Sequence, residues 1–277
     1  MQKDESSLEN KLYAWLETQG YPLEMRVAKA FQTSGARVIQ SDYYTDTSTE
    51  ESREIDVVAY WQSTIEDLLI RVSFVVECKS SKEKPWILFV SPEARLTPSA
   101  RVVQRAASEL GRRTLLRISK EASIQSLPIF KLPEAPGYSI TQAFTSGHDV
   151  CDAAASAVAN AAIATTNETD KPSSGFLRPA ILQIVFPVLV TEARLFAAAL
   201  EEDGSVSINE EKSGVLLWRN PIVGLPHTII HVVTLNALSD FIADARESAE
   251  KFMALCASDF KKAIEEARAT LLLKRRD

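Results

Sequence analysis

Two short stretches of this chain hold the residue types that metal-assisted phosphate chemistry requires. They are Arg53-Glu54-Ile55-Asp56 and, further along, Glu77-Cys78-Lys79. Each places charge at the end of an apolar run, where a core segment meets solvent. A hard dication such as Mg²⁺ takes oxygen ligands, commonly one or two carboxylates, with waters and substrate phosphate completing the shell. Asp56, Glu77 and the backbone carbonyl of Cys78 meet that description, and Mn²⁺ suits the same donors. Lys79 would then supply a cation near the metal but not on it, holding the attacking water or the negative charge that grows on the phosphate.

The elements that must position these groups follow from periodicity. Side chains of a strand alternate between its faces. In Ser73 to Lys79, Val75, Glu77 and Lys79 share one face, and Phe74, Val76 and Cys78 the other. In Glu54 to Tyr60, Ile55, Val57 and Ala59 line one face, and Glu54, Asp56, Val58 and Tyr60 the other. Between the two runs, Trp61 to Leu69 carries Gln62, Ser63, Thr64, Glu66 and Asp67, polar enough to reverse the chain. An antiparallel pair with Asp56 close to Glu77 is expected. Upstream, Tyr21 to Phe31 has helical spacing, with Leu23, Val27, Ala30 and Phe31 on one stripe. Glu24 lies on or beside that stripe, and a carboxylate is seldom buried without a partner.

A helix with such a glutamate, a strand, a strand holding Ile55-Asp56 and a strand ending in Glu77-Cys78-Lys79, in that order, resembles the PD-(D/E)XK nuclease superfamily, also called restriction-endonuclease-like. The resemblance covers residues 1–90 well and the later helix and strand loosely. It implies an α/β fold with an αβββαβ core, a mixed sheet flanked by helices and a metal site at the opened edge of that sheet. It also implies a Mg²⁺-dependent endonuclease, a hydrolase acting on DNA more than RNA, in restriction, repair or anti-phage defence. Glu24 matches the superfamily's glutamate on the first core helix, which reaches the metal site. Ile55 stands where the motif's name has proline, a position that supplies no metal ligand.

The rest of the chain reads as elaboration of one domain. The core spans 20–90 and 138–190, interrupted by an insertion at 91–137 and followed by a C-terminal strand and helix extension, 191–277. A helix over 4–18 places Leu8, Leu12, Trp15 and Leu16 near one face; a second over 22–34 stops at Gly35, and 36–44 forms the first strand. Trp86 to Val90 is a further apolar run. The insertion combines a helix over 100–111, six arginines from Arg95 to Arg117 and a proline-rich piece from Pro128 to Pro136. Those arginines are either a substrate-gripping patch beside the metal or a solvated helix face. An alanine-rich helix is expected over 138–163, with Phe144, Val150, Ala154, Val158 and Ala162 inside, then a polar linker over 167–175. Apolar runs at 181–190 and 193–199 and short strands at 205–208, 214–218 and 228–233 follow. From Leu235 to Leu272 the spacing is that of a long amphipathic helix, whose stripe packs on the core or seats a second copy as a homodimer. The tail Lys274-Arg275-Arg276 either touches nucleic acid or frays in solvent.

Composition limits the functional reading. Among 277 residues, Lys+Arg number 31 against 37 Asp+Glu, a formal charge of −6. A protein that grips nucleic acid through many phosphates is usually basic. Binding is therefore local and metal-assisted, or a protein partner supplies affinity. The acidic balance also suits a different class, a catalytically silent module that uses the same fold for binding or scaffolding in a larger assembly. Cys78, Cys151 and Cys256 are far apart and fit a reducing cytoplasm. The first residues carry no apolar signal core, and the run Ala180 to Val190 is too short to span a bilayer, so no membrane is expected. His227 and His231 would share a strand face, but no cluster around them completes a zinc site. Neither a nucleophile elbow nor a phosphate-binding loop is present.

Overall fold

The structure is a computed structural model that describes residues 5–46, 50–80, 82–146, 149–171, 179–219 and 227–273, with side chains described only within 7–262. The first half of the chain forms α1 (Glu5–Leu16), α2 (Tyr21–Thr33), β1 (Arg37–Thr45), β2 (Ser52–Ile65), β3 (Leu68–Lys79), β4 (Trp86–Val90), α3 (Pro98–Val103), β5 (Ala106–Ala107) and α4 (Glu109–Ile118). The second half forms α5 (Ala122–Gln125), β6 (Gly137–Gln142), α6 (Val150–Asp170), β7 (Ala180–Thr191), β8 (Leu195–Leu200), β9 (Val206–Glu211), β10 (Ser213–Trp218), β11 (Thr228–Thr234) and α7 (Leu238–Leu273). The described strands make one mixed 11-stranded sheet, ordered β1-β2-β3-β7-β11-β10-β6-β4-β8-β9, with β5 beside β7. Helices flank both faces. Leu23, Val27 and Phe31 of α2 and Ile242, Ala245, Ala249 and Phe252 of α7 join one apolar cluster on the sheet. Cys151, Ala155, Val158 and Ala162 of α6 join another, with Val75, Val185 and Leu189.

Local chemistry explains the elements nearest the carboxylates. Helix α2 ends in a glycine cap of the Schellman type. Gly35 takes φ 86°, its N–H donates to the Gln32 carbonyl at 3.0 Å, and the Ala36 N–H reaches back to the Phe31 carbonyl at 3.1 Å. A left-handed residue there satisfies the last carbonyls of the helix and turns the chain directly into β1. Strands β2 and β3 are antiparallel from Val57↔Val76 to Ile65↔Leu68. The reversal is shorter than the polar stretch suggested, because Trp61 to Ile65 remain strand and only Glu66 and Asp67 turn, Glu66 at φ 48°. Strand β3 then runs parallel to β7 over its whole length, Leu68↔Ala180 to Lys79↔Thr191. The connection between parallel neighbours passes over the sheet, and α6 lies on that path.

Several expectations are corrected. The helix expected over 138–163 starts only at Val150; Gly137–Gln142 is strand β6, held by antiparallel pairing with β4. Phe144 lies in the turn between them, at φ 58° and 87 % exposed. The helix over 100–111 is two short helices separated by β5. Part of the expected linker, through Asp170, is the last turn of α6, and 172–178 lie outside the described residues. Strand β4 follows β3 in sequence but sits across the sheet between β6 and β8. The C-terminal segment is one helix, and its stripe from Leu238 to Cys256 is covered by the chain's own core. That length of stripe does not present a free face to a second copy; the tail 274–277 lies outside the described residues. In contrast, Leu8, Leu12 and Trp15 of α1 are exposed. Among the described residues no helix is long and apolar enough to cross a membrane.

The insertion docks against β7 through the short β5, paired Ala106↔Val185 and Ala107↔Ile184, and through Ser108. Ser108 Oγ donates to the Ile181 carbonyl at 3.0 Å, and it accepts from the Gln183 N–H at 3.0 Å and the Gly111 N–H at 3.2 Å. Gly111 lets α4 lie against the strand: a Cβ there would stand 2.4 Å from the Gln183 carbonyl oxygen. Gly111→Ala must therefore push α4 away from β7. A loss of about 1–3 kcal/mol is expected in urea unfolding, the usual cost of overpacking; an unchanged midpoint would show that the helix docks differently.

Candidate active site

Asp56, Glu77, Cys78 and Lys79 come together where β2 and β3 part. The last antiparallel pair is Val57↔Val76, and beyond it the Asp56 side chain takes over the ladder: Asp56 Oδ2 accepts the Cys78 N–H at 2.7 Å. A strand residue turns its N–H and C=O toward the same neighbour, so the Cys78 carbonyl is also directed to the Asp56 side. Lys79 Nζ donates to Glu77 Oε1 at 2.5 Å, as expected for two side chains that share a face.

One part of the expected geometry fails. Val57 and Ala59 do line one face, but Ile55 packs in the opposite cluster with Val58. Alternation breaks at Asp56. Opposite it in β1 stands Ser41, at φ 53°, and Ser41 and Asp56 are the facing couple missing from the ladder between Gln40↔Val57 and Asp42↔Ile55. The Asp56 carboxylate reaches across to β3, where it accepts the Cys78 N–H.

Burial and repulsion between carboxylates raise the proton affinity of Asp56 and Glu24. Asp56 is pushed up to about 7, first by burial and then by the Glu77 charge, against the opposing hydrogen bond from Cys78. Glu24, half-buried on α2, is also raised, by burial and then by Glu54 and Glu77. For Lys79 burial acts to lower the value, but Glu77 outweighs it and the ammonium is held more firmly. Glu24 thus stands within electrostatic reach of Glu77, Asp56 and Lys79. Among the described residues no three His, Cys, Asp or Glu side chains form a ready metal-holding group.

A pH dependence with a definite sign follows. Because the folded value of Asp56 lies above the ordinary carboxylate value, its contribution favours the folded state at low pH. That contribution is lost as pH rises from about 4 through about 7. Ionising it costs on the order of 2–4 kcal/mol. The metal-free protein is expected to melt at lower temperature at pH 8 than at pH 5.5, with Asp56→Asn shrinking the difference. Equal differences in both proteins would show that Asp56 is not under this strain.

The arginines of the insertion are occupied elsewhere. Arg112 pairs with Asp170 at 3.8 Å, Arg113 with Glu109 and Arg117 with Asp259, and Arg95 and Arg101 donate to the Glu134 and Leu96 carbonyls. Arg112 and Arg113 lie with Asp170 near the Ile181 end of β7, the opposite end of the β3–β7 pair from Lys79; these partners favour the reading of a solvated, paired helix face over a gripping patch beside the metal. Arg105 is fully buried, donating to the Arg101 and Ile129 carbonyls at 3.1 and 3.0 Å and to His231 Nε2 at 3.3 Å. Its guanidinium lies over Phe186, 5.1 Å from the ring centre. Burial and that cation push His231 down to about 3, so the imidazole is neutral. His227 instead accepts from Arg219 at 3.2 Å; the two histidines serve separate partners.

Three residues near the site were not legible as part of it. Glu192, just beyond β7, donates its N–H to the Lys79 carbonyl at 3.2 Å, and its carboxylate meets Arg26 of α2 and Lys82 of the loop after β3. The only sequence signal is a charged residue ending an apolar run; that the run would pair with the motif strand was not visible. No protein-family model matches the chain, and no curated protein or solved structure matches it.

Proposed function

We propose that this protein is a metal-dependent nuclease that hydrolyses phosphodiester bonds of nucleic acid, DNA ahead of RNA, at the Asp56–Glu77–Lys79 cluster. The observation that carries the reading is the proximity of two carboxylates on adjacent strands where β2 and β3 part, with Asp56 held by the Cys78 N–H and close enough for Glu77 to help raise it to about 7. Lys79 meets the Glu77 charge, and a bound dication would relieve the crowding that remains at Asp56. The donor set is all oxygen, Asp56, Glu77 and the Cys78 carbonyl, and it suits Mg²⁺ or Mn²⁺, which leave room for water and phosphate. When bound, the ion would supply Lewis acidity at the phosphoryl oxygen and charge neutralisation. Lys79 contributes an ammonium that stays protonated beside Glu77 and can turn to the attacking water or the phosphate oxygens. Glu24 tunes the field from α2. The order α2-β1-β2-β3-α6-β7, with these four strands adjacent in the sheet, supports a restriction-endonuclease-like core.

A second reading, the silent binding or scaffold module, draws on one observation: Lys79 is closed on Glu77 at 2.5 Å, a pair that could be purely structural. Metal binding separates the two. In a Mn²⁺ titration followed by electron paramagnetic resonance, the wild type is expected to bind one ion, Asp56→Ala and Glu77→Ala to lose it and Lys79→Ala to keep it. No binding by the wild type would favour the silent module.

A further inference from the structure

Beside the carboxylate pair, two solvent-facing cations converge on one oxygen. Arg26 Nη1 lies 3.0 Å from Glu192 Oε1 and Lys82 Nζ lies 3.5 Å from the same atom. The cations are 45 % and 56 % exposed, whereas the Glu192 side chain is only 9 % exposed. Arg26 also meets the exposed Glu17 at 3.6 Å. Two of the three segments that bring this cluster together also serve the candidate site: α2, which carries Glu24, and β3 with the chain just past it, which carries Glu77 and Lys79. Arg26 sits on α2 two positions after Glu24, Lys82 three positions after Lys79, and Glu192 is tied to the Lys79 carbonyl by its own N–H at 3.2 Å.

Two like charges drawn to one atom repel each other and need a shared anion. A phosphate supplies one with more oxygens than a carboxylate, and arginine and lysine are the side chains that suit it. Both cations keep contact with water while paired to Glu192, so each can turn from the carboxylate to an incoming phosphate without being uncovered first. We propose that Arg26 and Lys82 form the grip for a backbone phosphate of the nucleic-acid substrate, and that Glu192 is an internal placeholder occupying the grip until that phosphate arrives. The proposal rests on reading Asp56, Glu77 and Lys79 as a phosphodiester site. It accounts for local substrate capture by a chain whose formal charge is −6, and it makes Glu192 a brake on non-specific binding.

The test is fluorescence anisotropy of labelled single- and double-stranded DNA oligonucleotides in EDTA at several salt concentrations, so that cleavage does not intervene. Glu192→Gln removes the competing charge at constant shape and is expected to tighten binding about 5- to 10-fold at low salt. Arg26→Gln combined with Lys82→Gln is expected to weaken binding about 10-fold and to flatten the slope of log K against log salt by about one to two, the counterions released by two phosphate contacts. Glu192→Gln added to that pair should change nothing further. Both cations are exposed, so the double variant tests the grip even if Glu192→Gln perturbs folding, which circular dichroism would report. Binding by the double variant equal to wild type, or a well-folded Glu192→Gln that binds no tighter, overturns the proposal. If the wild type cleaves with Mg²⁺ but shows either of these results, the grip alone is wrong; if it neither binds nor cleaves, the reading beneath it falls as well.

Discussion

On the proposed function, Lys79→Met is expected to lower metal-dependent cleavage about 10²- to 10³-fold while leaving Mn²⁺ affinity undiminished. The size is that of removing one preorganised donor aimed at charge developing in a transition state. The split between the two readouts comes from geometry. Lys79 bonds to Glu77 and is not itself a donor to a metal, so its loss frees a carboxylate oxygen instead of removing a ligand. Methionine keeps an unbranched apolar stem for a side chain that is only 34 % exposed, which limits the structural cost. The fall should appear in kcat measured under saturating metal. A parallel loss of metal binding would mean that Lys79 acts by organising the carboxylates, and unchanged cleavage would remove it from the chemistry.

Phe186→Ala destabilises the fold by about 3–5 kcal/mol in urea unfolding, the range for deleting a large buried ring. Phe186, in the middle of β7, is fully buried. It stacks on Phe74 with centroids 5.3 Å apart, meets Phe130 edge-on at 5.6 Å and faces His231 at 6.2 Å. It also provides one of the two aromatic faces over the Arg105 guanidinium. Removing it leaves a cavity and weakens the support of a buried cation whose proton affinity burial already lowers to about 9. A cost below about 1 kcal/mol would contradict this packing, because a cavity that size is not relieved by small shifts.

The antiparallel approach of the Asp56 and Glu77 segments was readable because both lie in runs with a period of two, separated by residues that turn a chain. The break in alternation at Asp56 was not, since the irregular residue facing it, Ser41, lies in another strand. The helix expected from Tyr138 shows a different failure. The alanine pattern that truly begins at Val150, read back to Tyr138, takes in five residues that are strand only because β4 pairs with them. A run like Gly137 to Gln142 carries too little periodicity to resist such an extension. Arg105 looked like part of a basic patch because aromatic faces and carbonyls from distant segments, which allow a guanidinium to be buried, leave no local mark. The same holds for Arg26, Lys82 and Glu192, which meet only through the parallel pairing of β3 with β7. Local signals thus gave the chemistry of the candidate site, whereas its surroundings depend on contacts distant in sequence.

The most direct measurement is a cleavage assay of the full chain on supercoiled plasmid, single- and double-stranded DNA and RNA, with Mg²⁺, with Mn²⁺ and with EDTA, alongside Asp56→Asn. Cleavage of at least one substrate by the wild type with metal is expected, abolished by EDTA and by Asp56→Asn. If every substrate stays intact at high protein concentration with both metals, or if Asp56→Asn cleaves as well as wild type, the assignment of a metal-dependent nuclease to this site is wrong.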